Sequence, residues 1–171
     1  MNLEIERKFL VDWSSANSLG IFETPPTKIE QCYYEINDSV VKRIRRVITE
    51  DLMTFLVTEK SRCSGMSRQE VEYPVSEDQA MTYFEASIGD VIAKKRFKYL
   101  FEGLVWEIDV FEKANLGLVI AEVELISECQ DINLPSFLTH EVTDDVRYYN
   151  HSLSQSPFSA WPRLMDSNKL I

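Results

Sequence analysis

A chain of 171 residues, 44% hydrophobic and 27% charged, can bury the core of one domain without disulfide staples, and five Gly with six Pro exclude a fibrous or disordered class. Its formal charge of −10 sets the overall field against nucleic acid or any other polyanion, unless the basic residues are gathered in one place. No apolar run approaches the roughly 20 residues of a membrane-spanning helix, and the start, MNLEIERKFL, is acidic where a secretory signal would be basic. A cytoplasmic protein without membrane or nucleic-acid partners is expected.

Most segments alternate with a period of two and read as strands. The first runs from Asn2 to Val11, with Leu3, Ile5, Phe9 and Val11 on one face and Glu4, Glu6 and Lys8 on the other. Arg7 is a misfit on the apolar face. A short helix near Trp13–Leu19 precedes the Pro25-Pro26 break. Strands follow at Lys28–Ile36, Val40–Thr49, Met53–Lys60 and Ser67–Val75, then a helix from Ser76 to Ser87 opened by the capping-box spacing of Ser76 and Gln79. Strands at Ile92–Phe101, Leu104–Phe111 and Leu118–Ser127 bring the count to eight, and a second helix is predicted from Thr143 or Asp144 to about Ser154. Residues 156–171 form a C-terminal tail to one domain spanning residues 1–171.

The charged faces are segregated by strand. Thr54, Leu56, Thr58 and Lys60 fall together, as do Arg68, Glu70 and Glu72, then Lys94, Arg96 and Lys98, then Glu107, Asp109 and Phe111, and finally Glu122 and Glu124. Any one such strand reads as a solvated outer face; acid strands beside cation strands read as two functional walls. Closing eight antiparallel strands into a barrel would enclose both, leaving the apolar faces to a few peripheral helices and the tail. Enclosed charges must be paired, hydrated or bound to ions, so a ligand is implied. Carboxylates are hard oxygen donors suited to Mg²⁺ or Mn²⁺, and Lys and Arg suit phosphate oxygens. In Val40–Val47 the cations Lys42, Arg43, Arg45 and Arg46 occupy both faces, and alternation alone does not choose between the pairs.

Glu4-Ile-Glu6-Arg-Lys8 resembles the E-x-E-x-K motif of the CYTH superfamily, the triphosphate tunnel metalloenzymes. The likeness continues in order through Gln31-Cys-Tyr33, Arg43-Ile-Arg45, Thr58-Glu-Lys60, Ser67-Arg68-Gln-Glu70-Val-Glu72, Lys94-Lys-Arg96, Trp106-Glu-Ile-Asp109, Ala121-Glu122-Val-Glu124 and Glu141-Val-Thr143 to Asn150, roughly residues 1 to 155. The resemblance implies an eight-stranded antiparallel tunnel acting on a triphosphate with a divalent cation. It selects Arg43 and Arg45 as the inward pair. It assigns Glu4, Glu6, Asp109, Glu122 and Glu124 to the metal, and Lys8, Arg43, Arg45, Lys60, Arg68, Lys94 and Arg96 to the phosphates.

The chain is similar to the short bacterial members that favour inorganic triphosphate, so hydrolysis of that compound to pyrophosphate and phosphate is expected. Adenylate cyclase, or thiamine or nucleoside triphosphatase activity, is the alternative on the same fold; a polyphosphate-binding module without catalysis is the alternative of another class. Water would be activated near Glu122 and Glu124 by a metal ion, or by Lys8 or Tyr33 acting as a base with a lowered pKa. The partners expected are a small-molecule triphosphate and, in a homodimer, a second copy. Cys32, Cys63 and Cys129 lack metal-ligand spacing and read as plain thiols; His140 and His151 read as surface or structural residues.

Overall fold

The computed structural model describes residues 5–62 and 68–162. The alternation seen in the sequence builds one antiparallel sheet from β1 (Ile5–Val11), β2 (Thr27–Ile36), β3 (Val40–Ile48), β4 (Met53–Arg62), β5 (Arg68–Val75), β6 (Ile88–Phe101), β7 (Leu104–Phe111), β8 (Val119–Leu125) and β9 (Leu138–Glu141). Its strand order among the described residues is β5-β4-β3-β2-β6-β7-β8-β1-β9.

The expectation of a closed eight-stranded barrel is therefore corrected: among the described residues the sheet has nine strands, with β5 and β9 at its edges and no ladder joining them. The reason lies at β1. Its second edge is occupied by β9, which pairs with Phe9 and Val11 across a register shift, so β1 forms no ladder with β5. Four residues are too few for a period of two to show, which is why β9 is not legible in the sequence. β9 also explains Arg7, whose Nε and Nη2 donate to the two carboxylate oxygens of Glu141 at 2.8 and 2.7 Å.

Helix α1 (Trp13–Ser18) is capped by the Asp12 side chain, and α2 (Glu77–Glu85) opens with the predicted Ser76/Gln79 capping box. The last predicted helix is shorter than expected: α3 spans only Asn150–Gln155. Asp145 accepts from the Arg147 amide and caps a separate 3₁₀ turn, Val146–Tyr148, after which Tyr149 returns to extended backbone. β6 begins at Ile88, four residues earlier than predicted, where Ile88 pairs with Tyr33 across a register shift and Gly89 takes a positive φ of 77° inside the strand. A Cβ on Gly89 would stand 2.4 Å from the Ser154 carbonyl oxygen, so α3 seats on β6 only where residue 89 has no side chain.

Two apolar clusters lie on the uncharged face. Phe9, Phe97, Trp106, Ile108, Ala121 and Val123 pack beneath Ala16, Ile21 and Phe137, while Cys32, Ile44, Phe55 and Val57 pack beneath Ala80 of α2. A third lies on the charged face, where Ile92, Phe111, Leu118 and Ile120 meet Leu153 of α3, with Tyr148, Phe158 and Trp161 against them. Each large apolar side chain buried there contributes about 1.5–3 kcal/mol. This cluster holds α3, and tail residues 158 and 161, over one end of the charged face.

Candidate active site

Residues directly opposite in an antiparallel ladder point to the same side of the sheet. The register pairs Lys8 with Glu122 and Glu6 with Glu124 across β1 and β8, Glu107 with Glu122 across β7 and β8, and Arg96 with Asp109 across β6 and β7. It continues from Tyr33 to Arg43 to Thr58 to Glu72 across β2, β3, β4 and β5, with Gln31 opposite Arg45. Acids and cations predicted from separate strands thus share one face. Lys60 belongs to it by position, two residues from Thr58 on β4. Glu4 and the Arg68 side chain lie outside the described residues.

The open choice in β3 is resolved by partners. Lys42 pairs with Glu35 and Arg46 with Glu30 on the opposite face, leaving Arg43 and Arg45 on the charged one.

Moving away from α3, the charged face begins with an apolar layer, Leu10, Ile92, Phe111 and Ile120, followed by Lys8, Lys94, Asp109 and Glu122. Asp109 is wholly buried; Lys94 Nζ lies 2.5 Å from its Oδ2, and Arg96 donates from Nε to Oδ1 and from Nη2 to Oδ2, both at 2.6 Å. Arg96 also reaches Glu107 and, at 3.2 Å, Glu122 Oε2. Lys8 Nζ lies 2.6 Å from Glu122 and 2.7 Å from Glu6. Beyond this layer exposure rises, to 42% of the Glu6 side chain and 67% of Lys98. One end is capped and the other faces solvent.

The cation strands are completed at the capped end. Gln31 Nε2 donates to the Tyr33 hydroxyl at 3.0 Å, and Arg43 donates to the same oxygen, so the phenolic oxygen is already filled as an acceptor. Arg43 Nη2 also donates to Thr58 Oγ1 at 3.2 Å, Arg45 Nη2 donates to Glu72 Oε2 at 2.9 Å, and Thr58 donates to that same Glu72 oxygen at 2.8 Å. The Nε–H groups of Arg43 and Arg45 are buried with no acceptor among the described residues. Charged donors left unsatisfied out of water are costly, and an anion would satisfy them.

The electrostatics follow from these contacts. Burial opposes the carboxylate of Asp109, yet Lys94 and Arg96 bring its pKa down to about 2. Burial likewise opposes Glu122, and Lys8 and Lys94 hold it below its ordinary value. Burial works against the Lys8 ammonium, but Glu122 and Glu6 outweigh it and the pKa is raised. Burial raises Tyr33 despite Arg43 and Arg45. Both groups are thus shifted upward, Lys8 by its carboxylate partners and Tyr33 by burial. Burial, with Arg43 beside it, brings Arg45 down to about 10.

The acid side has hard donors placed for a divalent cation. Glu6 and Glu124 stand directly opposite one another, and like charges so placed repel unless a cation lies between. Lys8 serves Glu6, while Glu124 is exposed with no ion pair among the described residues. No ready-made cluster of three metal-ligating side chains exists among the described residues; Asp109, Glu107 and Glu122 are engaged by Lys8, Lys94, Lys98 and Arg96. The donor set fits a hydrated divalent ion held by few protein oxygens.

Some residues of the site were given no role from the sequence. Gln31, Thr58, Glu72 and Glu107 appear there only as members of the charged faces or motifs, which was the available signal. His151 had none: α3 brings its ring edge-on to Tyr33, 6.3 Å between centroids, and beside Tyr149 at 5.8 Å. His140 is exposed, Arg147 pairs with Asp145 away from the site, and Cys32 and Cys129 are free thiols, the former pushed by burial up to about 12.

The CYTH domain profile matches residues 2–155. An inorganic triphosphatase of Acetivibrio thermocellus is 35% identical over 159 residues, covering 92% of this chain and 97% of the relative. One from Nitrosomonas europaea is 34% identical over 163 residues, covering 90% and 97%. A crystal structure of an inorganic triphosphatase superposes with a TM-score of 0.64 at 31% identity, covering 91% of this chain and 97% of that one. A family match over most of the chain, and relatives of the same length at a third identity, place the protein in the CYTH domain family.

Proposed function

We propose that this chain hydrolyses inorganic triphosphate to pyrophosphate and phosphate with the aid of a divalent cation, Mg²⁺ or Mn²⁺. The observation that carries the reading is the pair of Nε–H groups on Arg43 and Arg45, buried without an acceptor among the described residues, on the same face as an acid cluster that begins three strands away. Relatives bearing the name inorganic triphosphatase over nearly the whole chain support it.

Arg43, Arg45, Lys60, Arg68, Lys94, Arg96 and Lys8 take the phosphate oxygens, the arginines through planar forks and the lysines as point charges. Tyr33, kept neutral by burial, donates its hydrogen to an oxygen of the chain. Glu4, Glu6, Glu122 and Glu124 would hold the cation, which supplies Lewis-acid polarisation of the phosphate oxygens. Asp109, expected among the metal ligands, is already shared by Lys94 and Arg96 and acts by fixing those two cations against the substrate. Charge developing on the terminal and bridging oxygens is met by groups already in place, so little reorganisation accompanies reaction.

No helix among the described residues is long and apolar enough to cross a membrane.

Phosphate release should be measured from inorganic triphosphate, ATP and thiamine triphosphate, with Mg²⁺ and Mn²⁺ in turn. Release is expected from inorganic triphosphate and should stop with a chelator. Binding without release would leave a sequestering module, and cyclic AMP from ATP would make the protein a cyclase.

A further inference from the structure

Glu72 is an acid of the charged face that the substrate reading leaves without a task. It sits on β5, outside the acid strands β1, β7 and β8, at the far end of the row Tyr33, Arg43, Thr58, Glu72. One of its oxygens, Oε2, accepts from Arg45 Nη2 at 2.9 Å and from Thr58 Oγ1 at 2.8 Å, and lies 4.0 Å from Arg43 Nη2. Thr58 is completely buried, so its hydroxyl has one fixed neighbourhood and is aimed by the acceptor it finds there. A single anionic oxygen held by a guanidinium and a hydroxyl, with a second guanidinium close by, is the surrounding that a phosphate oxygen seeks. The carboxylate is 37% exposed, so it can swing away into water at modest cost.

We propose that Glu72 is an internal counter-anion of the cation strands, occupying Arg45 and Thr58 until a more highly charged polyphosphate displaces it. This rests on the reading that the cation strands bind phosphate chains. Its consequence is discrimination by charge. A triphosphate, engaging Lys94, Arg96 and Lys8 as well, can outcompete one carboxylate at Arg45. Pyrophosphate makes fewer of those contacts and loses the competition more often, so the product leaves. Burial and the neighbouring Arg43 disfavour the Arg45 charge, and the Glu72 carboxylate beside it offsets them.

The test is calorimetric binding of inorganic pyrophosphate at fixed ionic strength to the wild type, Glu72→Gln, Glu72→Asp and Glu59→Gln. Glu59 lies on the opposite face of β4, bonded to Tyr73, and its substitution makes the same change in net charge without touching the arginines. Glu72→Gln should bind pyrophosphate about three- to fivefold more tightly, the scale of a partly exposed ion pair. Glu72→Asp, which keeps the charge but loses reach, should show a smaller gain in the same direction and serves if the Gln variant fails to fold. Glu59→Gln should match the wild type. Equal or weaker binding by both Glu72 variants, an equal gain in Glu59→Gln, or no pyrophosphate binding by any protein would overturn the proposal. Turnover of inorganic triphosphate by the wild type is scored separately. Its absence would sink the hydrolase reading while leaving the pyrophosphate comparison intact.

Discussion

Arg96 and Asp109, opposite one another on β6 and β7, are joined by two parallel hydrogen bonds of 2.6 Å, with the carboxylate wholly out of water. A fork of this kind fixes both side chains, and Lys94 on the same carboxylate leaves the acid no freedom. Removing one member of such a buried set exposes the others as uncompensated charge. Asp109→Asn should therefore destabilise the fold by about 3–5 kcal/mol. Urea unfolding measures this, and a loss under about 1 kcal/mol would show that the cations relax to water instead.

The same carboxyl sets an acid limit. Its folded-state pKa, about 2, lies below the ordinary 3.8, and Glu122 is shifted in the same direction from 4.5. A depressed pKa contributes stability that is complete above the ordinary value and is lost as pH falls toward the folded one. Unfolding free energy should fall between about pH 4.5 and pH 2, and in Asp109→Asn the slope below pH 4 should be shallower. Parallel slopes would assign acid sensitivity to other groups.

Glu122 and Glu124 separate structure from chemistry. Glu122 is engaged by Lys8 and Arg96, whereas Glu124 is exposed without an ion pair among the described residues. Glu124→Gln should melt within about 0.5 kcal/mol of the wild type yet lose at least about a hundredfold in metal-dependent phosphate release. Glu122→Gln should lose activity and about 1–3 kcal/mol of stability together. Full activity in Glu124→Gln would remove that residue from the metal site.

Arg45→Lys removes the fork and the buried Nε–H while keeping the charge. The expected result is a roughly tenfold rise in KM for inorganic triphosphate with a smaller change in kcat, because a point charge cannot reproduce bidentate contact. An unchanged KM would place the substrate away from β3.

Gly89→Ala tests the seat of α3. A left-handed φ and a carbonyl oxygen at 2.4 Å combine to give a cost of about 2–4 kcal/mol, relieved only by moving α3. Fluorescence of Trp161, which packs on Tyr148 and Phe158 over the third cluster, should shift with it.

Much of this architecture is legible residue by residue. A strand's period of two is a local property, so Glu6 and Lys8, Lys94 and Arg96, and Glu122 and Glu124 declare their shared faces without knowledge of any neighbour. Capping at Ser76 is equally local and appears as predicted. Longer-range choices were not legible. Lys42, Arg43, Arg45 and Arg46 differ only in whether Glu30 and Glu35 or Tyr33 and Glu72 await them.

By itself, then, the amino-acid sequence determined the strands other than β9 and, outside β3, their charged faces, because side-chain direction in an extended chain depends on parity alone. Tertiary structure decided which acid meets which cation, since register between distant strands sets that Asp109 faces Arg96 and Lys8 faces Glu122. It also decided that, among the described residues, the second edge of β1 is taken by the short β9 and not by β5. Finally, it brought His151 to Tyr33, which only the packing of α3 on Gly89 could do.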